Sequence, residues 1–155
     1  MKIETTRFGR IEVCEDKVLF FLRGLIGFED LRRFVVLPLD DNPYFVWLQS
    51  AEEPQIAFLL ADPFVFFQGY ELDIPEGALE KLKITERSQV LVQVISTIPQ
   101  TGVADMTANL VGPVIINTKE NLGMQVILSD SKYGARHPLF KNTIPGKCGS
   151  AAQSR

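Results

Sequence analysis

TANLVGPVIINT, residues 107–118, reads as a strand with a fault in it. Its apolar residues favour a pleated, buried segment, yet Gly112-Pro113 stands in the middle. Proline has no N–H to give to a β-ladder, so a central strand does not accommodate it. Such a break marks an edge, a bulge or a barrel corner. Asn109 and Asn117 stand near the ends of the two half-strands, where an Asn side chain can satisfy loose backbone groups. The break is therefore read as a structural device and not as a site.

The neighbouring sequence repeats the strand signal. Short alternating or apolar runs occur at 2–6, 9–14, KVLFFL (17–22), RFVVLPL (33–39) and YFVWLQS (44–50). PQIAFLLAD (54–62), YELDI (70–74), QVLVQVISTI (89–98) and GMQVILS (123–129) continue the series. With the two halves of 107–117 this makes about ten strands separated by turn residues, the pattern of a sandwich or barrel. The expected fold is all-β, mainly antiparallel, a small barrel-like domain. One stretch departs from it: PEGALEKLKI, 75–84, puts Ala78, Leu79 and Leu82 at helical spacing. Asp73 and Glu76 around Pro75 resemble an N-terminal capping signal, which predicts one short α-helix near 75–84.

The chain has 155 residues, 46% hydrophobic and 23% charged, with eleven Phe. A chain of that length buries roughly 70% of its unfolded surface and needs no disulfide or metal to hold a core. Residues 1–140 are expected to form a single domain and 141–155 a flexible tail. The net charge is −3; without the last fifteen residues, which hold Lys141, Lys147 and Arg155 but no acid, it is −6. Nucleic-acid binders carry the opposite balance, so direct RNA or DNA binding is not expected. Cys14 and Cys148 form no motif, and Cys14 falls in a predicted strand. No apolar h-region opens the chain and no apolar run reaches about 18 residues, so a cytoplasmic protein without membrane contact is expected.

No catalytic set emerges. His137 is the only histidine, no nucleophile elbow accompanies it, and it is read as a rim residue. Zinc would need four N or S ligands, which one His and two distant Cys do not supply. No phosphate loop is present. Asp40-Asp41 and Glu52-Glu53 read as solvated turns. The chain is thus expected to be no enzyme, with no metal and no cofactor, and to act through its surface. Two segments qualify. In DPFVFFQGYELDIPEG, 62–77, strand alternation would turn some aromatics outward among Asp62, Glu71, Asp73 and Glu76, although Phe64, Phe66 and Phe67 can equally fill the core. In GLIGFEDLRRF, 24–34, Leu25 and Phe28 can plug a turn or face a partner.

Assembled in order, these segments resemble the FliW family of flagellar assembly factors. The likeness runs through TRFGRIEV, GLIGFED with RRFVVLPL, FVWLQS, LADPFVFFQGYELDI, VLVQVIST, TANLVGPVIIN and QVILSDSKYGARHPL, over about residues 3–140. The resemblance implies a small antiparallel barrel without enzymatic activity. It implies two protein partners, flagellin and the RNA-binding translational repressor CsrA, exchanged as flagellin is secreted. On the matching motifs it suggests Tyr44, Phe45, Trp47, Asp62, Pro63, Phe66 and Tyr70 as contact residues. Glu71 and Asp73 are candidates for acidic contacts, and Phe28 and Glu29 form a second group. A monomer is expected. The competing expectations are a barrel holding a small apolar ligand and an oligonucleotide-binding barrel, the latter disfavoured by charge.

Overall fold

A computed structural model describes residues 1–39, 41–128 and 132–140. Strands β1 (Lys2–Thr5) and β2 (Gly9–Glu12) form a hairpin. Then follow β3 (Leu19–Phe21), β4 (Arg33–Leu39), β5 (Asn42–Ser50) and β6 (Ala57–Ala61). Helix α1 (Pro63–Phe66) and helix α2 (Glu76–Lys81) separate β6 from β7 (Val90–Thr97). The described chain ends with β8 (Thr107–Ala108), β9 (Val114–Asn117), β10 (Leu122–Gln125) and β11 (His137–Pro138). Seven strands close into a ring in the order β7-β6-β5-β4-β3-β10-β9 and back to β7. Every neighbour pair in the ring is antiparallel except β3 with β10, which is parallel. The all-β barrel expected from the strand series is the fold observed.

Strand alternation sorts the apolar residues into two cores. Leu19, Phe21, Phe34, Leu48, Leu60, Val114 and Ile116 form the cluster inside the ring. Their register partners face the same way, for example Leu19 with Phe34 and Leu48 with Phe58. Side chains fill this interior, with Phe21 against Phe34 at 5.1 Å between ring centroids. At the parallel seam only glycine fits. A Cβ at Gly123 would meet the Phe21 ring at 2.6 Å. The second cluster lies on the outer face, where Phe45, Leu59, Ala61, Val94, Ile115 and Met124 are covered by the 62–85 segment and the chain after β7.

The break at Gly112-Pro113 is a bulge of three extra residues. Ser96 faces Ala108, while Gln93 faces Val114, so three steps along β7 are matched by six along its partner. Asn109 N–H still donates to Ile95 O of β7 at 2.9 Å. Residues 110–113 leave β7, and Val111 and Pro113 bond instead to the chain continuing from β10. Val126 N–H donates to Pro113 O at 2.9 Å and Leu128 N–H to Val111 O at 2.8 Å. Pro113 therefore sits where β7 needs no donor. Asn109 Oδ1 accepts the Gly112 N–H at 3.0 Å, as expected of an Asn at the end of a half-strand. Asn117 does more. Its Oδ1 accepts from the N–H groups of Lys119 and Glu120, and its Nδ2 donates to Leu82 O at 2.7 Å and Lys83 O at 3.2 Å.

Three expectations are corrected. YELDI is not a strand: Tyr70 is buried and Leu72 and Ile74 are half-buried, but against the outer face and outside any ladder. An extended chain alternates its side chains whether or not it joins a sheet. The helix at 75–84 is present as α2, but its N-cap is Pro75 with no side-chain cap bond, so Asp73 and Glu76 build no capping box. A capping box occurs ten residues later, where Glu86 and Gln89 satisfy each other's backbone N–H groups around a 3-10 turn. Cys14 lies beyond β2, exposed, ahead of another 3-10 turn. Asp40 and the tail from Lys141 lie outside the described residues.

Because Asn117 is fully buried and holds four backbone groups, Asn117→Ala should cost about 2–3 kcal/mol. Urea unfolding would read it; a loss below about 0.5 kcal/mol would mean that those groups find other partners.

Candidate functional site

The segment between β6 and β7 is tied to the barrel at several points. Asp62 N–H donates to Tyr44 O at 3.0 Å. The Asp62 carboxylate accepts the Phe64 N–H at 2.9 Å and so caps α1, with Pro63 at its first turn. Asp62 is thus engaged in building the turn. Phe66 then packs on Phe45 at 5.1 Å and stands edge-on to Tyr44 at 6.3 Å. Tyr70 is buried and donates its hydroxyl to Leu110 O at 2.7 Å, inside the bulge. Its ring packs against Tyr133 at 4.7 Å and Phe64 at 5.8 Å. The Tyr133 hydroxyl in turn accepts the Glu71 N–H at 2.9 Å.

The result is an exposed aromatic ridge beside an acidic groove. Tyr44, Phe64 and Val65 are 47%, 51% and 47% exposed; Phe64 and Val65 lie on α1, and Tyr44 stands against Phe66 of the same helix. Phe66 and Phe67 are half-buried on the outer cluster beneath them. The groove, about 1180 Å³, runs past Tyr70 and Tyr133 with Leu72, Ile74 and Ile84 along it. Glu71, Asp73 and Glu86 stand at its sides together with Arg87 and Lys132.

The structure brings together Tyr44, Phe45, Asp62, Pro63, Phe66, Tyr70, Glu71 and Asp73 on this side of the barrel. Phe45, Pro63 and Tyr70 are buried and support it; Tyr44, Glu71 and Asp73 are exposed. Trp47 does not join it. The turn of the β1–β2 hairpin covers it, with Phe8 edge-on at 6.2 Å and the Arg7 guanidinium over its ring at 4.2 Å. Phe28 and Glu29 lie elsewhere as well. Phe28 packs edge-on against Phe58 at 5.1 Å. The Glu29 carboxylate accepts the Gly27 N–H, and hydrogen bonds from backbone N–H groups hold its pKa below the usual value. Phe64 and Tyr133 belong to the site but could not be selected from the sequence. Which aromatic of FVFF points outward depends on the single turn of α1, and Tyr133 arrives from 62 residues away in the chain.

His137 is half-buried among Phe67 and Tyr133, and its Nε2 accepts the Gly134 N–H at 2.7 Å, a structural placement. Among the described residues no three His, Cys, Asp or Glu come together as metal ligands. None of their helices is long and apolar enough to cross a membrane.

Burial raises the Tyr70 pKa well above the usual phenol range. The neutral hydroxyl is the form that the fold holds, so this stability is present below about pH 10 and is lost as pH rises further. Tyr70→Phe should cost about 1 kcal/mol at neutral pH and flatten the alkaline decline, read by urea unfolding from neutral to alkaline pH. An unchanged alkaline slope in the variant would mean that Tyr70 is not the group responsible.

Comparison with known proteins agrees with this geometry. The family model described as "FliW protein" matches residues 2–139. The flagellar assembly factor FliW of Moorella thermoacetica is 46% identical over 144 residues, covering 93% of this chain and 91% of that one. The protein of the same name from Geobacillus thermodenitrificans is 40% identical, with 93% and 99% covered. A crystal structure of the flagellar assembly factor FliW superposes with a TM-score of 0.84 at 39% identity, covering 93% of this chain and all of that one. The chain belongs to the FliW family of flagellar assembly factors.

Proposed function

We propose that this chain is a non-enzymatic regulator of the cytoplasm that binds flagellin and the translational repressor CsrA in alternation. Bound to CsrA it antagonises repression of flagellin translation; bound to flagellin it is withheld from CsrA. The observation that carries this reading is the exposed ridge of Tyr44, Phe64 and Val65 beside the groove that holds Glu71 and Asp73. Aromatic anchors with a charged rim suit a protein partner. An acidic body also suits a basic RNA-binding protein. Excluding the last fifteen residues the chain carries −6, so once docked it repels the phosphates that CsrA would otherwise hold. The same charge disfavours direct binding of nucleic acid. A ligand inside the barrel is disfavoured because Phe21, Phe34, Leu48 and Leu60 fill the interior.

Calorimetric titration into CsrA, alone and preloaded with flagellin leader RNA, tests the proposal. Heat in the first case and RNA release in the second are expected. The double variant Glu71→Gln, Asp73→Asn should weaken binding of a basic partner about tenfold, mostly through slower association at low salt. Unchanged affinity would remove these two carboxylates from the interface. Absence of binding to both CsrA and flagellin would overturn the function itself.

A further inference from the structure

A second recess lies on the other side of Pro75 and Ile127, which border both it and the groove. It is a cleft of about 480 Å³ between α2 and the 24–29 loop. Its floor is apolar, made by Ala78, Met124 and Val126, and its rim carries Ile26 and Ile127, 57% and 51% exposed. Arg23 and Lys81 line it and make no ion pair with a described residue. The one carboxylate along it, Glu29, already accepts the Gly27 N–H. Two cations against one carboxylate leave the apolar cleft with a surplus of one positive charge, on a protein whose overall charge is negative.

Its loop wall is preformed. Gly24 has a φ of +62° and lies so close to the following backbone that a Cβ would meet Phe28 O at 2.6 Å. Ile26 N–H donates to the Gln125 side chain at 3.0 Å, and Gln125 Nε2 donates to Gly112 O at 2.9 Å. The loop is thus latched to the bulge of the barrel. A rigid recess loses little entropy when it is filled.

We infer that this cleft is a second docking site, for a partner segment that presents an aliphatic side chain next to a carboxylate. The aliphatic group covers the floor, and the carboxylate meets Arg23 and Lys81, neither of which is ion-paired with a described residue. The groove, with Glu71, Asp73 and Glu86 against Arg87 and Lys132, has a surplus of one negative charge, so the two recesses differ in the sign of their surplus. This site shares only Pro75 and Ile127 with the groove of the proposed partner surface, and its failure leaves that reading in place.

A suitable probe is the peptide acetyl-Gly-Leu-Glu-Leu-Gly-amide, titrated into the full isotope-labelled chain and followed by amide chemical shifts. Shifts are expected at Gly24, Ile26, Gly77 and Lys81, and not at Glu71 or Asp73. The analogue with Gln in place of Glu should bind about tenfold more weakly, as should the double variant Arg23→Gln, Lys81→Gln. Gly77 supplies a blocking variant that leaves the fold intact. It lies within α2, exposed, and a Cβ there meets nothing within 4 Å, so the side chain of Gly77→Leu starts in open space at the cleft. That variant should keep its melting temperature and lose the shifts. Equal binding of the Glu and Gln peptides, shifts confined to the groove, or no shift at all would each overturn the inference.

Discussion

Asn117 is the residue on which the arrangement of this protein turns. It ends β9, and its carbonyl oxygen Oδ1 gathers the N–H groups of the turn that leads to β10. Its amide nitrogen donates to the two carbonyls just past α2, at Leu82 and Lys83, where Lys83 is left-handed. A helix of one and a half turns cannot hold itself in water; its end carbonyls need partners and its position needs an anchor. One fully buried side chain supplies both. Because α2 separates the acidic groove from the cationic cleft, the placement of both recesses follows from that anchor.

The barrel itself needs a different constraint. Closure requires β10 to lie beside β3, the ring's one parallel contact, over only two register pairs. Phe21 fills the interior at that seam and leaves no room for a Cβ at position 123. Glycine there is a packing requirement, since β10 is otherwise an ordinary antiparallel partner of β9. Closed on itself, the ring exposes no long unpaired edge, and its outer face is then free to carry the 62–85 segment. The candidate surface is thus built on the outside of a barrel whose inside is a filled core.

Much of this was legible in the sequence, and the reasons for the remainder are physical. The strand runs were readable because alternation is local: KVLFFL, RFVVLPL and QVLVQVISTI each contain an observed strand, and YFVWLQS lies within one. Gly112-Pro113 was readable as a break because proline chemistry is local too. YELDI misled because an extended segment packed on a face alternates as a strand does. The acidic pair Asp73 and Glu76 misled because a proline supplies the helix start without a side-chain bond. At the candidate site, the aromatic block of 62–74 was visible as a composition. Its outward member, Phe64, was not, and neither was Tyr133, because both depend on contacts between distant segments. Trp47 matched its motif but is roofed by Arg7 and Phe8, a contact across forty residues of chain.

The central claim is that the 62–74 segment, held against the barrel by Tyr70 and by the anchor of α2, is the face that a partner covers. Hydrogen–deuterium exchange of the free chain and of the chain saturated with flagellin tests it most directly. Slowed exchange at 64–73, with strands β3, β4 and β10 unchanged, is the expected result. Protection confined to the hairpin or to β3 and β4, with 64–73 exchanging as in the free protein, would contradict it.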